Sequence, residues 1–256
     1  MLALLDSDIV AYRCAATAEN NEEWIAVART KELVEQILHE VGADSYKLYL
    51  SGANNFRKII YPDYKANRTQ PRPKHLNVCK QYLVDHWGAT WTDGYEADDA
   101  LGINQEKTLE GNTIICSIDK DLRQIPGEHY NFVKKARDYI SAETAIRTFY
   151  IQLLIGDTAD NVRGKQGVGK AKAPKILDGC ESEEELFNAC RDEYKNDAEM
   201  LLNGQLLWIW RKMNEVWDTT KYGIILREGL YQMPTEKTNT GILSTSEIKD
   251  ISFMVS

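Results

Sequence analysis

The chain has 256 residues, five cysteines, four histidines and a formal net charge of −8, enough for one large domain or a core with a smaller appendage. An odd cysteine count with no CxxC pair or zinc spacing argues against a disulfide framework and for reduced thiols in a cytoplasmic protein. Scattered histidines argue against a His-rich metal site, no apolar run approaches the roughly 18–20 residues of a membrane span, and the N-terminus lacks the basic start of a signal peptide.

Leu2-Ala3-Leu4-Leu5 is a short apolar run ending in Asp6, the pattern of a buried parallel strand with an acid at its carboxyl end. A helix is expected from about Glu22 to Val41, with Trp24, Ile25, Ala28, Val34, Ile37 and Leu38 as its apolar stripe and Gly42 as its stop. Tyr46 to Leu50 reads as the second strand. Ser51 to His75 is a polar, basic connection with three of the six prolines, and connections of that length in a compact domain are usually functional.

Leu76 to Trp87 reads as a helix closed by Gly88, followed by a short strand at Thr90-Trp91 and a helix from about Glu96 to Lys107. Thr113 to Ser117 is the clearest strand and delivers Asp119 and Asp121 at its end. A strand near Tyr130–Val133 precedes a helix from Ala142 to Ile155 capped by Ser141. A turn-rich stretch, Gly156 to Gly169, leads into a short helix at about 170–177, then helices near 183–194 and 198–216. No motif is found from Lys221 onward.

Strands alternating with helices, then helices alone, predict an α/β domain with a mainly parallel sheet and a helical annex. Ligands of such sheets sit beyond the carboxyl ends of the strands. Asp6, Asp119 and Asp121 fall there. The run Tyr95-Glu96-Ala97-Asp98-Asp99 fits the same edge, although acids also suit a solvated helix N-terminus.

Charge is distributed unevenly. Arg57 to Lys80 carries seven Lys/Arg against one acid, and Arg163 to Lys175 carries five with no acid. Two basic patches on an acidic body point to local phosphate grips. The acids gather at element ends as Asp6/Asp8, Glu96/Asp98/Asp99, Asp119/Asp121 and Asp157/Asp160. Hard oxygen donors without His or Cys select Mg²⁺ or Mn²⁺ over zinc. About seven such acids around two divalent ions stay negative, so a phosphodiester would need the basic patches as well. Gly164 to Ala171 nearly spells a Walker A loop, but Ala171 stands where the Mg²⁺-holding hydroxyl belongs and no strand precedes it. A glycine turn whose N–H groups meet a phosphate, with Lys170 and Lys172 beside it, is the better reading.

Taken in order, five motifs resemble the five-prime nucleases. They are Leu4-Leu5-Asp6-Ser7-Asp8; Phe56-Arg57-Lys58 with Tyr64-Lys65-Ala66-Asn67-Arg68; Glu96-Ala97-Asp98-Asp99; Ser117-Ile118-Asp119-Lys120-Asp121-Leu122; and Gly156-Asp157-Thr158-Ala159-Asp160-Asn161 running on to Gly167-Val168-Gly169. The family includes flap endonucleases and 5'-3' exonucleases, and the small size and the Tyr64-Lys65-Ala66-Asn67-Arg68 run look most like its bacteriophage branch.

The resemblance implies a PIN-like core at residues 1–140, with an arch or gateway at 51–75. It also implies a helical DNA-binding part at 141–220 with a helix-turn-helix-like grip; residues 221–256 are left without a role. It implies a metal-dependent 5'-3' exonuclease and flap endonuclease that cuts DNA or RNA–DNA hybrids near 5' ends with two Mg²⁺ or Mn²⁺ ions. Such an enzyme would act as a monomer, off the membrane, in the host cytoplasm if phage-encoded.

By position, Asp6, Glu96 and Asp98 match ligands of the first metal. Asp119, Asp121, Asp157 and Asp160 match the second set, with Asp98 or Asp99 close to both. Lys65, Arg68 and Asp98 are the catalytic candidates. Arg57, Lys58, Tyr64, Lys65 and Arg68 match the gateway, with the Tyr64 ring available to stack on a base. Gly167, Gly169, Lys170 and Lys172 match the duplex grip. One departure stands out: many members carry a metal-directed Asp after the second strand, where this chain has Ser51, leaving Ser51 or Asn54 to act through water. Two other readings are a haloacid-dehalogenase-type phosphatase, suggested by Asp6-Ser7-Asp8, and a DNA-binding module without catalysis.

Overall fold

In the computed structural model, residues 1–107 and 112–223 are described. Six strands form one sheet in the order β3-β2-β1-β4-β5-β6. They are β1 (Leu2–Asp6), β2 (Ser45–Leu50), β3 (Thr90–Trp91), β4 (Thr113–Cys116), β5 (Gly127–Asn131) and β6 (Ala136–Ile140). All neighbours run parallel except β5 and β6, which are antiparallel. This is the expected mainly parallel α/β sheet flanked by helices.

The helices are α1 (Ser7–Thr17), α2 (Glu23–Val41), α3 (Phe56–Ile60), α4 (Leu76–Trp87), α5 (Ala97–Glu106), α6 (Ala142–Ile155), α7 (Ala173–Ile176), α8 (Glu183–Tyr194) and α9 (Asp197–Leu207). Alternation along the strands divides the core. Ala3, Leu5, Leu48, Leu50, Ile114 and Cys116 pack under α1, α2 and α4, while Leu4 and Ile115 face Leu101 of α5 with Leu122, Ile125 and Ile209. Burial on both faces is why these strands read as continuous apolar runs. Tyr150, Tyr194, Phe149 and Phe187 are fully buried in the helical part, with Phe149 edge-on to Trp208 and Trp217.

Four local expectations differ. Helix α1 follows β1 at once, because Asp6 caps it by accepting from the Ile9 N–H at 3.2 Å. The long connection is not uniformly irregular: Asn55 caps α3, accepting from the Arg57 N–H at 3.0 Å. The expected strand near 130–133 is β5, shifted earlier, with β6 behind it. The last expected helix stops at Leu207, where Trp208 turns to extended backbone (φ −67°, ψ 121°). Beyond Gly223 the C-terminal segment lies outside the described residues. Among the described residues, no helix is long and apolar enough to cross a membrane.

Candidate metal centre

The carboxyl ends of β1, β2 and β4 lie side by side, since Asp6 is in register with Tyr49 and Leu5 with Cys116. Asp6 therefore emerges beside the chain leaving β4. The Ser117 hydroxyl donates to Asp6 Oδ2 at 2.7 Å and accepts from the Asp119 N–H at 3.0 Å, and Asp119 Oδ1 accepts from the Asp121 N–H at 2.8 Å. One hydroxyl thus fixes the spacing of Asp6 and Asp119.

Asp157 comes from the far end of α6. Gly156 and Gly164 both have positive φ (74° and 62°). A β-carbon on either would come within 2.4 Å of the other's backbone nitrogen, so only glycines let the chain close here. Between them, Asp157 and Val162 exchange backbone hydrogen bonds at 2.8 Å each way. The Asp157 carboxylate accepts from the Ala159 N–H at 2.7 Å. This small closed loop presents Asp157 to Asp121 and Lys120 (3.7 Å).

The acids perturb one another. Burial, with Asp8 and Asp119 nearby, pushes Asp6 up to about 7 against the Ser117 hydrogen bond. Burial and Asp119 likewise push Asp121 up to about 7. Burial, then Asp6, Asp119 and Glu96, hold Asp98 well above the carboxylate range. Asp157 goes the other way: burial is outweighed by a hydrogen bond from Asp121, the Ala159 N–H and Lys120. The two neighbours are thus pushed in opposite directions, Asp121 up and Asp157 down. Glu96 is also held low, because Lys65 and Arg57 outweigh its burial.

Among the described residues, no group of three or more His, Cys, Asp or Glu side chains is placed so that it could hold a metal ion as it stands. The donor chemistry nevertheless fits hard divalent cations. Asp6, Asp98 and Asp121, each raised by burial and by neighbouring acids that include Asp119, are oxygen donors crowded without enough positive charge, and a Mg²⁺ or Mn²⁺ ion would relieve that repulsion. Lysine and arginine occupy the remaining acids. Lys65 Nζ is hydrogen-bonded to Glu96 and lies 3.7 Å from Asp160, and Arg68 pairs with Asp160.

The gateway candidates divide. Tyr64 is buried, and its hydroxyl lies 2.8 Å from an Asp160 oxygen and 3.1 Å from a Glu96 oxygen, its single proton directed between the two. It anchors the segment and presents no face on which a base can stack. Lys65 sits in the left-handed region (φ 60°), with its N–H on the Asp160 carbonyl at 3.0 Å. Arg68 Nε donates to the Ala159 carbonyl and Asn161 Nδ2 to the Asp63 carbonyl. Residues 63–68 are thus fastened to the Asp157–Asn161 loop. Lys58 is exposed.

Arg57 and Asp99 do not stand where the sequence reading placed them. Arg57 is 2 % exposed and Asp99 is 0 % exposed. The guanidinium grips both Asp99 oxygens at 2.7 and 2.8 Å and also donates to the carbonyls of Leu206 and Trp208. Asp99 further accepts from the Glu96 and Trp210 N–H groups, each at 3.0 Å. Enclosed by these partners, Arg57 offers no donor to a phosphate, and no lone pair of Asp99 points to a cation. Local sequence carried no sign of this, since the partners lie beyond residue 205. Ser51 and Asn54 are also turned away: the Ser51 hydroxyl accepts from the Ala97 N–H at 3.0 Å, and Asn54 donates to Asp93 at 2.7 Å. Asp8 accepts from the Ser51 N–H and pairs with Lys80.

At the other patch, Lys170 and the turn glycines Gly167 (φ 80°) and Gly169 are exposed, and Lys172 lies 3.3 Å from Glu193. Helix α7 is a single turn. No strand enters the near-Walker stretch.

Residues 1–150 match the family model described as the 5'-3' exonuclease, N-terminal resolvase-like domain. A DNA polymerase I from Caldicellulosiruptor bescii is 26% identical over 214 residues, covering 73% of this chain and 25% of that protein. The flap endonuclease Xni of Shewanella baltica is 29% identical over 166 residues, covering 59% of this chain and 63% of that one. The chain therefore spans about a quarter of the polymerase and under two thirds of the flap endonuclease. In fold, a structure of T5 5'-exonuclease with divalent zinc ions bound aligns with a TM-score of 0.60 at 16% identity, covering 80% of this chain and 88% of that one.

Proposed function

The chain belongs to the 5'-3' exonuclease family, and on that premise we propose that it is a metal-dependent 5'-3' exonuclease and flap endonuclease cutting near the 5' ends of DNA. RNA–DNA hybrids are a second substrate class in this reading. The observation that carries it is the gathering of Asp6, Asp98, Asp119, Asp121 and Asp157 at the carboxyl edge of the sheet, with Lys65 on the adjoining Glu96 and Asp160 and Arg68 on Asp160.

Asp6, Glu96 and Asp98 would hold one divalent ion, and Asp119, Asp121 and Asp157 the other. When bound, two such ions supply an activated water and charge for the leaving oxygen of a phosphodiester. The protein's part is to bind and orient. Lys65 and Arg68 stand within one side-chain swing of the acids and would turn onto the scissile phosphate, where a positioned cation favours the charge that builds there. Tyr64 keeps both in place by holding Glu96 and Asp160. Asp160 serves as the gateway's anchor. Lys58, Lys170 and Lys172, with the N–H groups of the Gly167–Gly169 turn, would grip backbone phosphates away from the cut. In the same proposal, residues 1–140 form the catalytic part and 141–220 the duplex grip. The Tyr64–Arg68 run favours a role in phage DNA replication or degradation, with the chain acting as a monomer.

End-labelled flap, nicked and RNA–DNA substrates incubated with Mg²⁺, Mn²⁺ or EDTA test this. Short labelled products are expected with either metal and none with EDTA. Tight binding of flap DNA without cleavage in any metal would favour a binding module and overturn the proposal.

A further inference from the structure

Glu96 is the N-cap of α5, and Asp99, three residues on, accepts the Glu96 N–H in a capping box. The same Asp99 carboxylate holds Arg57, whose Nη1 is 2.7 Å from Asp99 and only 3.7 Å from Glu96 Oε2. Arg57 is tied in turn to the carbonyls of Leu206 and Trp208, and Asp99 to the Trp210 N–H. Phe56 stacks on Trp210 at 4.7 Å. The guanidinium is held on all three of its nitrogens, within a region closed to water.

From this we infer that Asp99 is a positioning residue and not a metal ligand. It fixes the Glu96 backbone and, by outcompeting Glu96 for Arg57, keeps a second fixed charge off a carboxylate that already meets Lys65 and, at 2.7 Å, the Asn55 amide. The inference rests on the proposed metal centre. It adds that the centre needs the backbone of residues 206–210, which lies beyond the stretch matched by the family model. A guanidinium released from Asp99 has an obvious next partner in Glu96, about one ångström further away, and a fixed positive charge there opposes a divalent ion.

The test is Mn²⁺ binding to the full chain, read from the electron paramagnetic resonance of free Mn²⁺ and needing no substrate. Glu96→Gln serves as control and should weaken binding; no change would overturn the metal centre itself. Asp99→Asn should weaken Mn²⁺ binding about 10–100-fold, the range for loss of an outer-shell partner. Adding Arg57→Met to Asp99→Asn should then recover at least about tenfold of that loss. The competing charge is gone, and the amide oxygen introduced by Asp99→Asn still accepts the Glu96 N–H. The reference is Arg57→Met alone, which loses the same charge but keeps Asp99: the double variant should bind Mn²⁺ as tightly as it does, whereas a double variant about tenfold or more weaker than Arg57→Met, as loss of a ligand requires, would overturn the inference. Should Asp99→Asn alone fail to fold, the charge-neutral double variant decides. Binding close to wild type supports the positioning role, and binding as weak as that of Glu96→Gln overturns it.

Discussion

Asp157→Asn is expected to reduce single-turnover cleavage of a 5' flap by at least about a thousandfold, roughly 4 kcal/mol of barrier. Flap binding measured in EDTA should change little. The side chain lies on a loop held shut by Gly156 and Gly164 and by paired backbone hydrogen bonds to Val162, so the substitution leaves the scaffold intact. An amide at this position still accepts the Ala159 N–H, which Asp157 now receives at 2.7 Å. What it loses is the charge that faces Lys120 and stands beside Asp121. A variant retaining wild-type turnover would remove Asp157 from the metal centre.

Lys65→Ala has two expected consequences of opposite sign. The chemical step should slow by about 10²–10³, as when one positioned charge donor to a transition state is removed. Mn²⁺ binding should tighten, because Lys65 Nζ is bonded to Glu96 and 3.7 Å from Asp160 before any cation arrives. Tyr64, Arg68 and Asn161 keep the 63–68 segment docked without it, so the loss is of charge and not of order. An unchanged single-turnover rate would take Lys65 out of the mechanism. Weaker Mn²⁺ binding would show that it supports the acids in place of competing for them.

How much of this was legible in sequence depended on how local each cause was. Apolar runs at Leu2–Leu5 and Thr113–Cys116 announce buried parallel strands because both their faces are covered. The acids at their carboxyl ends follow from the chain direction alone. Helix α1 was missed although Val10, Ala11, Cys14 and Ala15 form its buried stripe; small residues give that stripe little amplitude. Strand β6, ARDYI, pairs along an edge with four of five side chains exposed, so no alternation marks it. The helix expected to continue through Val216 stops at Leu207 because Trp208, Ile209 and Trp210 keep an apolar pattern while serving as extended core.

At the site, the residues brought together were readable but their division of labour was not. Glu96, Asp98 and Asp99 look alike in sequence. Only packing against Arg57 and Trp210 separates Asp99, which is saturated, from Asp98, which burial and three neighbouring acids push well above the usual carboxylate range. In the same way, Tyr64 reads as a stacking surface until its hydroxyl is seen holding Glu96 and Asp160. Breaking a buried pair such as Arg57–Asp99 typically costs about 3–5 kcal/mol. Interactions of that strength are assembled from distant segments and leave no mark on local periodicity.

The central claim is that the acids at the carboxyl edge of the sheet form a two-cation centre. Anomalous scattering from crystals of the full chain grown with Mn²⁺ tests it most directly. Two peaks are expected, one against Asp6, Glu96 and Asp98 and the other against Asp119, Asp121 and Asp157, with Lys65 moved off Glu96 and Arg57 still on Asp99. No peak at these acids at saturating Mn²⁺, or a peak bound to Asp99, would contradict the account.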